Sequence, residues 1–510
     1  MKNIKIIAIL AIMSIIQACD KNLKEPIVVG YTPINIDANA YNWKQYLLAS
    51  PADIVVEAPK AVSSIEYIAE ITALKASLAT LTPANKKAID YWGAGAVYRW
   101  NEIARELSAK YNLAPPAKAD GTYGVPDRSN PLAEPKFPFA NPPYVARALA
   151  YLSVAQYDAL VSARFYQNKY DRKGPSKNDA SIKPLLPITD QPSYPCDDAV
   201  VAGASYAILV NMFPGEIAYL DGLLAESKNA AYLAGKAVNT DIAAGEGLGK
   251  AIAAKALARG ATDGMGAANN QALVVDQKAA ATLRGIKDIW VSQEKPVRAP
   301  MLPNYGAVAT WNFNKTILGQ IRPTLPYIVG SSEWQKEFDE LSKINKSQTR
   351  EQARIANYWA DGAGSYTPPG HWNRTAANTA HESKFSEVRM ARTLALLNTA
   401  IMDAGIACWE TKYYYYSPRP QQFGLKTSVG LPNFPSYTSG HSTFSAAAAT
   451  VLGSIFPEKA NEFNTQAKEA SDSRVFGLIH FRIDCEMGLI HGKKIGEYAI
   501  DRSKADGSGL

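Results

Sequence analysis

The chain has 510 residues, which is too long for one simple hydrophobic core and leaves room for two domains. Its 47% hydrophobic and 20% charged residues are ordinary for a globular protein and exclude large-scale disorder. The net charge of +7 is small for this length, and neither a basic tract nor an aromatic-basic ladder occurs, which argues against nucleic acid as a partner.

The N-terminus has the pattern of an export signal. A basic start at Lys2 and Lys5 precedes an apolar run over residues 6–16 and small residues before Cys19. This order is typical of a secretory signal peptide rather than of a membrane span. Residues 16–19 (IQAC) resemble a bacterial lipobox, so we expect residues 1–18 to be removed and Cys19 to be lipidated. An ordinary signal peptide with an incidental cysteine is the alternative.

The mature chain is then expected to be an exported bacterial lipoprotein, periplasmic or on the cell surface, that meets the membrane through its lipid alone. Residues 19–60 contain few periodic apolar positions and are predicted to form a tether. The three later cysteines match no metal-binding spacing and are expected to be small buried hydrophobes. Whether Cys408 and Cys485 form a disulfide stays open at this stage.

Helical periodicity dominates the rest of the chain and predicts an all-α fold. Apolar residues recur three or four positions apart in most of the first half, whereas alternating, strand-like runs are few. The helical segments are residues 64–81, 85–111, 144–167, 200–212, 217–225 and 240–259. Proline-rich loops separate them at residues 114–143 and 174–195.

The second half of the chain repeats the first. Asp484 and Gly488 follow Asp241 and Gly245 at one spacing of 243 residues, and an Ala-Arg helix segment ending in Asp-Ala occurs in both halves. We therefore expect two helical bundles from a degenerate internal duplication, at residues 61–265 and 335–510, joined by an irregular linker at 266–334.

The two copies differ at chemically important positions. At the spacing of 243, polar or charged residues of the second copy face residues of another kind in the first. These pairs are His441 and Asp198, Arg419 and Ser176, Arg474 and Ala231, and His480 and Ala237. Only Lys412, opposite Lys169, keeps its chemistry. The first bundle is therefore expected to be a structural partner, with the function in the second.

Three short blocks of the second copy suit the binding of a tetrahedral oxyanion. Lys412 precedes a helix-breaking Ser-Pro-Arg-Pro turn, which would fix Arg419 as a bidentate donor. Ser439 and Gly440 precede an alanine-rich helix, whose first backbone N–H groups attract anions. Taken singly, Arg419 also fits a surface arginine and Ser439 an ordinary helix N-cap.

The third block pairs a histidine with a carboxylate. His480 and Asp484 are four residues apart and would share one face of a helix. Asp484 could accept the Nδ1 proton and leave Nε2 of His480 as a lone-pair donor. An isolated pair of this kind is usually a surface ion pair, so the prediction depends on the combination of blocks.

In their order and spacing, the blocks K-x6-R-P, S-G-H and S-R-x5-H-x3-D resemble the superfamily of vanadium-dependent haloperoxidases and type 2 (phosphatidic-acid type) acid phosphatases. The similarity extends over about residues 335 to 500 and departs only at Thr438, where proline is usual. It implies an oxyanion site for vanadate or phosphate, whose binding groups are Lys412, Arg419, Ser439, Gly440 and Arg474.

The same resemblance implies the catalytic roles. His480 would be the vanadium ligand, or the nucleophile that forms a phosphohistidine; His441 would be the acid–base, and Asp484 would orient His480. Asp361 resembles an acidic residue that pairs with the site arginines. Trp409 and Phe434 match aromatic positions that line a halide pocket, although core packing explains them equally well.

Three functions are compatible with this sequence. The preferred one is vanadate-dependent oxidation of halide by hydrogen peroxide, because two bundles resemble haloperoxidases more than the compact phosphatases. The second is a phosphomonoesterase that needs no cofactor and acts on small extracytoplasmic phosphates. The third is a non-catalytic binding lipoprotein. Small molecules are the expected partners in each case, and His371 is expected to be structural.

Overall fold

The computed structural model describes residues 28–509, so the predicted signal peptide and the lipidation site Cys19 lie outside the described residues. All regular structure within residues 28–509 is helical, apart from one isolated bridge between Ala117 and Tyr123. The prediction of an all-α fold is confirmed. The helices form two bundles that follow each other along the chain.

The first bundle contains eight α-helices. They are α1 (Ile65–Ala79), α2 (Pro83–Trp92), α3 (Ala96–Tyr111), α4 (Pro142–Tyr170), α5 (Pro175–Asn178), α6 (Asp197–Met212), α7 (Ile217–Leu233) and α8 (Asn239–Thr262). Two short helices follow, α9 (Val274–Leu283) and α10 (Lys315–Ile321).

The second bundle contains seven α-helices. They are α11 (Ser332–Ser347), α12 (Arg350–Tyr358), α13 (Thr367–Glu382), α14 (Glu387–Tyr415), α15 (Gly440–Ile455), α16 (Ala460–Phe476) and α17 (Arg482–Lys504). The 3-10 helices are Ala38–Asn42, Pro214–Glu216, Met265–Ala267, Gln271–Leu273, Tyr305–Ala307, Pro420–Phe423 and Pro457–Lys459.

The same residues start corresponding helices in both bundles. Ser64 caps α1 by accepting a hydrogen bond from the third backbone N–H, and Ser331 caps α11 in the same way at 3.2 Å. Thr82 and Thr349 begin α2 and α12 with capping boxes. Such caps satisfy N–H groups that have no partner within the helix, so each copy encodes its helix starts locally.

Helix lengths and buried contacts also repeat. The helices α4 and α14 each have 29 residues, α6 and α15 each have 16, and α7 and α16 each have 17. Asp158 on α4 accepts hydrogen bonds from the backbone N–H groups of residues 46 and 47. Asp403 on α14 accepts them from residues 311 and 312. The duplication predicted from sequence therefore extends to individual hydrogen bonds.

The two bundles share one hydrophobic core, because the long helices α4 and α14 pack side by side at its centre. Polar contacts cross the interface at equivalent residues. Asn398 donates to Ser153 at 2.8 Å, and Asn101 donates to Asn373 at 2.8 Å. The first bundle thus supports the second directly rather than forming a separate domain.

The predicted tether and linker need correction. Residues 38–57 pack on the protein, since Ala40 and Trp43 are buried and residues 46 and 47 bind Asp158. One 3-10 turn is too short to produce the periodicity that sequence analysis detects. The linker at 266–334 contains α9 and α10 and covers one end of α14, where the carbonyl of Met301 accepts from Tyr413 at 2.6 Å.

No single helix in the described part of the chain has the length and apolar character needed to cross a membrane. The segments Asp197–Met212 and Pro214–Leu233, which meet at a bend of 119°, satisfy this criterion only as a pair and only by length and composition.

Candidate active site

Lys412 lies in the last turn of α14, with no exposed surface. Its Nζ donates hydrogen bonds to the carbonyls of Pro435, Ser436 and Thr438 at 3.0, 2.7 and 2.5 Å. The helix ends at Tyr415, and the left-handed backbone of its C-cap Tyr416 (φ 53°) turns the chain towards the predicted Ser-Pro-Arg-Pro turn. Lys412 therefore holds the loop before α15 against the end of α14.

Arg419 lies within that turn in extended conformation and is 1% exposed. Its guanidinium donates to the carbonyls of Phe434 and Ile479 at 2.8 and 2.6 Å, and its Nη1 lies 3.5 Å from Nε2 of His480. Arg419 thus links the first block of the predicted site to the third.

Ser439 and Gly440 lie at the N-terminus of α15, as predicted. Ser439 is the N-cap, with its hydroxyl accepting from the N–H of Ser442 at 3.3 Å. Gly440 is the first helical residue, so its N–H belongs to the helix end that has no internal acceptor. This places helix N–H groups and the hydroxyl of Ser439 at one anion-binding position.

Arg474 and His441 complete the arrangement on the side of α12. Nη2 of Arg474 donates to the carbonyls of Ala356 and Trp359 at 3.0 and 2.8 Å. His441 lies near the carbonyls of Trp359 and Ala360, and its buried Nε2 has no hydrogen-bond partner in the protein. A buried nitrogen of this kind is available to a ligand or to a proton.

His480 and Asp484 form a hydrogen-bonded pair, but not on one helix face. His480 precedes α17, whereas Asp484 lies in its first turn. Nδ1 of His480 lies 3.0 Å from Oδ2 of Asp484, which also accepts from Ser436 at 2.5 Å and from the N–H of Phe481 at 3.1 Å. The expectation of a shared helix face is therefore wrong, because Asp484 caps the helix that begins after His480. The predicted partnership itself is formed.

Burial and like charge determine the protonation of these groups. Burial, together with the nearby Arg419, lowers the pKa of Lys412 to about 8. Burial lowers the pKa of Arg419 and of Arg474 to about 10. Burial and the surrounding cations hold the pKa of His480 well below its usual range, so its imidazole is neutral at neutral pH. Three buried cations around a neutral histidine favour an oxyanion.

The lowered pKa of Lys412 predicts a pH limit for anion binding. Tungstate, which stays a dianion over this range, should bind with constant affinity below about pH 8. Above that pH, Lys412 of the anion-free protein loses its charge, so we expect the affinity for tungstate to fall about 10-fold per pH unit. Titration calorimetry from pH 6.5 to 9.5 measures this slope. Lys412→Arg keeps its charge and should remove the slope; an unchanged slope in that variant would assign the proton to another group.

The two predicted aromatic residues differ in their surroundings. Trp409 is 1% exposed and packs in the core, with its ring centroid 4.8 Å from that of Phe434. Phe434 is partly exposed and lies against the cations, with Nζ of Lys412 and Cζ of Arg419 each 5.1 Å from its ring centroid. Phe434 therefore forms an apolar wall of the site, and Trp409 supports it from behind.

Asp361 pairs with a histidine instead of an arginine. Both of its carboxylate oxygens lie 3.2 Å from Nδ1 of His371, whose ring stacks on Trp359 at 4.4 Å. Arg474 is influenced by the charge of Asp361 but donates its hydrogen bonds to carbonyls. Asp361 therefore acts on Arg474 through its charge, without the direct ion pair that the resemblance implies. His371, expected to be structural, is the residue that contacts the carboxylate of Asp361, and it lies beside His441.

Two supporting residues were missed by sequence analysis. Ser436 binds Asp484, just as Ser193 binds Asp241 at 2.9 Å in the first bundle. Glu337 on α11 accepts from the N–H of Ile483 at 2.8 Å at the start of α17. The repeated Pro-Ser-Tyr triplet could have identified Ser436, but nothing local to α11 identifies Glu337.

The structure corrects two predicted counterparts in the first bundle. Helices α4 and α14 correspond at a spacing of 245 residues, so Lys412 corresponds to Gln167 rather than Lys169. The amide of Gln167 donates to the carbonyl of Pro195, which is the equivalent of the contact between Lys412 and Thr438. Arg419 likewise corresponds to Gly174, which precedes α5. The connection between α5 and α6 is two residues longer than the connection between the 3-10 helix Pro420–Phe423 and α15.

The first bundle has a cavity of about 170 Å³ at the corresponding place, but its charges neutralise one another. Asp198, opposite His441, forms an ion pair with Lys236, and Asp197 pairs with Arg164 at 2.7 Å. These pairs leave no excess of positive charge for an oxyanion. The cysteines carry no chemistry either, since Cys196, Cys408 and Cys485 are all buried and unpaired.

Comparison with known proteins agrees with this geometry. Residues 392–496 match the family model described as the PAP2 superfamily. A bacterial vanadium-dependent iodoperoxidase is similar in structure, with 18% sequence identity and a TM-score of 0.58, over 80% of this chain and 95% of that one. A bacterial vanadium-dependent chloroperoxidase is similar with 12% identity and a TM-score of 0.52, over 76% and 97%.

No curated protein matches the chain. The family match covers most of α14 to α17, which carry all three blocks, and the structural similarity covers both bundles. Residues 392–496 are therefore similar to the PAP2 superfamily, and the fold of the chain is similar to that of the two vanadium-dependent haloperoxidases.

Proposed function

We propose that this protein binds vanadate at the site around His480 and oxidises halide with hydrogen peroxide. The observation that carries the proposal is the enclosure of the site. Lys412, Arg419, Ser439 and Arg474 are at most 1% exposed, and His480 is 2% exposed. A site this closed suits substrates of one or a few atoms, such as halide and peroxide, better than a bulky phosphate ester.

The residues present fit vanadate. Lys412, Arg419 and Arg474 would neutralise its equatorial oxygens, helped by the hydroxyl of Ser439 and the N–H of Gly440. Within residues 28–509 no carboxylate forms an ion pair with these three cations, so their charge is available to an anion. Nε2 of His480 would be the ligand, because Nδ1 is committed to Asp484.

When bound, vanadate would supply the activation of hydrogen peroxide towards halide. The protein's own groups would then position the reactants and transfer protons. His441, with its free Nε2, would hold or accept a proton beside the oxyanion. Asp484 would keep the proton of His480 on Nδ1, and Ser436 would fix the carboxylate. Phe434 would provide the apolar wall against which a weakly hydrated halide can lie.

The PAP2 match favours a second candidate, a phosphomonoesterase. In that reaction His480 would attack phosphorus in line while His441 protonates the leaving oxygen, and water would then hydrolyse the phosphohistidine. Vanadate would act as an inhibitor, because it has the geometry of phosphate. The same cage serves both reactions, so activity must separate them.

A paired assay on one preparation tests both candidates. One half is loaded with orthovanadate and tested with peroxide, a phenolic dye and iodide, bromide or chloride. The other half is kept vanadate-free and tested with an aryl phosphate. Halogenation that needs added vanadate supports the proposal. Aryl phosphate hydrolysis without halogenation of the dye by any halide would replace it with the phosphatase. Absence of both reactions and of vanadate binding would favour a non-catalytic binding protein.

A further inference from the structure

We propose that Glu337 and Trp334 are positioning residues of this site, and that with Asp484 they hold one buried water molecule behind the His480–Asp484 pair. The role in positioning depends on the proposed function, in which His480 contacts the oxyanion. The location of the water does not depend on it.

The first observation is a small cavity between α11 and the start of α17. Its volume is about 10 Å³, and its lining includes Trp334, Glu337, Ser417 and Asp484. Three buried polar atoms of these residues have no partner in the protein, namely Nε1 of Trp334, Oε2 of Glu337 and Oδ1 of Asp484. Trp334 and Glu337 are each 9% exposed, and Asp484 is 1% exposed.

The chemistry of these atoms matches one water molecule. A cavity of roughly 10–15 Å³ holds one water, and a buried water typically makes about three hydrogen bonds. Here it would accept from the indole N–H of Trp334 and donate to Oδ1 of Asp484, with Glu337 as the third partner. A metal cation would be opposed by the indole N–H, which points positive charge at the same space. The set therefore suits water better than a cation.

The first bundle has different residues at some of the positions that line this cavity in the second bundle. The residues that correspond to Trp334, Glu337, Ser417 and Asp484 are Tyr67, Glu70, Arg172 and Asp241. Glu70 caps α8 by accepting from the N–H of Thr240 at 2.8 Å, as Glu337 caps α17. Arg172 forms a buried ion pair with Asp241, and its guanidinium lies 5.4 Å from the ring centroid of Tyr67.

In the second bundle, serine replaces this arginine and histidine becomes the partner of the aspartate. An arginine at position 417 would compete with His480 for the carboxylate of Asp484. A neutral water instead gives Oδ1 a hydrogen bond and leaves the charge of Asp484 to His480. Burial and the charge of Asp484 raise the pKa of Glu337 to about 8, so this carboxyl adds no second negative charge at neutral pH.

The structural test is a crystal structure of the full chain at a resolution that shows ordered water. We expect one density peak within hydrogen-bond distance of Nε1 of Trp334, Oε2 of Glu337 and Oδ1 of Asp484. A direct bond between the two carboxyl groups, or no peak between them, would overturn the inference. This result can be read even if the protein binds no vanadate, which would count only against the proposed function.

The positioning role is tested by vanadate affinity, measured by calorimetry. Trp334→Phe keeps the ring and removes the N–H, and we expect it to weaken binding about 10-fold, the usual size of an indirect ligand effect. Glu337→Leu should weaken it similarly, whereas Glu337→Gln keeps a donor and an acceptor and should stay within about 2-fold of the wild type.

Glu70→Leu is the matched control, because it removes the equivalent helix cap in the bundle that lacks the site. Both leucine variants should lower the melting temperature, but only Glu337→Leu should weaken vanadate binding. Equal affinity in Glu337→Leu and Glu70→Leu would show that Glu337 is only a helix cap. An unchanged affinity in Trp334→Phe would overturn the positioning role of Trp334. Ser417→Arg should restore the ion pair of the first bundle and abolish vanadate binding.

Discussion

Replacement of His480 by alanine is expected to abolish both vanadate-dependent halogenation and any phosphatase activity. The imidazole is neutral, its Nε2 lies 3.5 Å from the guanidinium of Arg419, and its Nδ1 is held by Asp484 at 3.0 Å. Loss of a directly participating group of this kind typically costs about 10²–10⁴-fold in rate. Steady-state assays of the paired reactions measure the loss.

His491→Ala is the control for that experiment. His491 is also buried and neutral, since burial lowers its pKa to about 3, and it lies on α17 away from the cage residues. Its replacement should lower the melting temperature and leave turnover per folded molecule unchanged. Activity that survives in His480→Ala, or that is lost equally in His491→Ala, would show that His480 does not take part in the reaction.

Replacement of Arg419 by methionine is expected to remove most of the oxyanion affinity. Methionine keeps an unbranched stem against Phe434 but loses the charge and the two-pronged donor. Truncating one partner of a buried charged contact costs about 2–5 kcal/mol, which is roughly 30-fold or more in Kd. Titration calorimetry with orthovanadate and with phosphate measures it.

Thermal unfolding gives an independent reading of the same effect. Vanadate at 100 times its Kd should stabilise the wild type by about 2.7 kcal/mol, and a roughly 30-fold weaker Kd in Arg419→Met should reduce this gain to about 0.9 kcal/mol at the same vanadate concentration. Arg164→Met is the control, because Arg164 is an equally buried arginine that is paired with Asp197 in the first bundle. It should lower the melting temperature while the vanadate-induced rise persists. An undiminished rise in Arg419→Met would place the oxyanion elsewhere.

Much of this molecule could be predicted from local sequence. Helical periodicity, caps such as Ser64 and Ser331, and the helix-ending turn before Arg419 are encoded within a few residues of where they act. The spacing of 243 residues identified the duplication because α6 to α8 and α15 to α17 carry no insertions relative to each other. The same fixed spacing misplaced Lys169 and Ser176, since a two-residue difference lies upstream of α6.

The site residues were recognised by the order of three blocks, but their partners depend on contacts far apart in the chain. Asp361 contacts His371, and Glu337 accepts a hydrogen bond at the start of α17 although its own helix lies more than a hundred residues earlier in the chain. No periodicity or spacing encodes such pairs. The packing of residues 38–57 on α4 was missed for the same reason, since Asp158 binds them from a distant helix.

The sequence by itself determined the all-α class, the two copies and the residues proposed to bind an oxyanion, because local periodicity and residue type carry this information. Only the tertiary structure decided which buried charges stay unpaired in each copy. In the first bundle, the buried cations form ion pairs with Asp197, Asp198 and Asp241. In the second bundle, Lys412, Arg419 and Arg474 surround one neutral histidine. That difference arises from which charges burial brings together, and burial is a property of the whole fold.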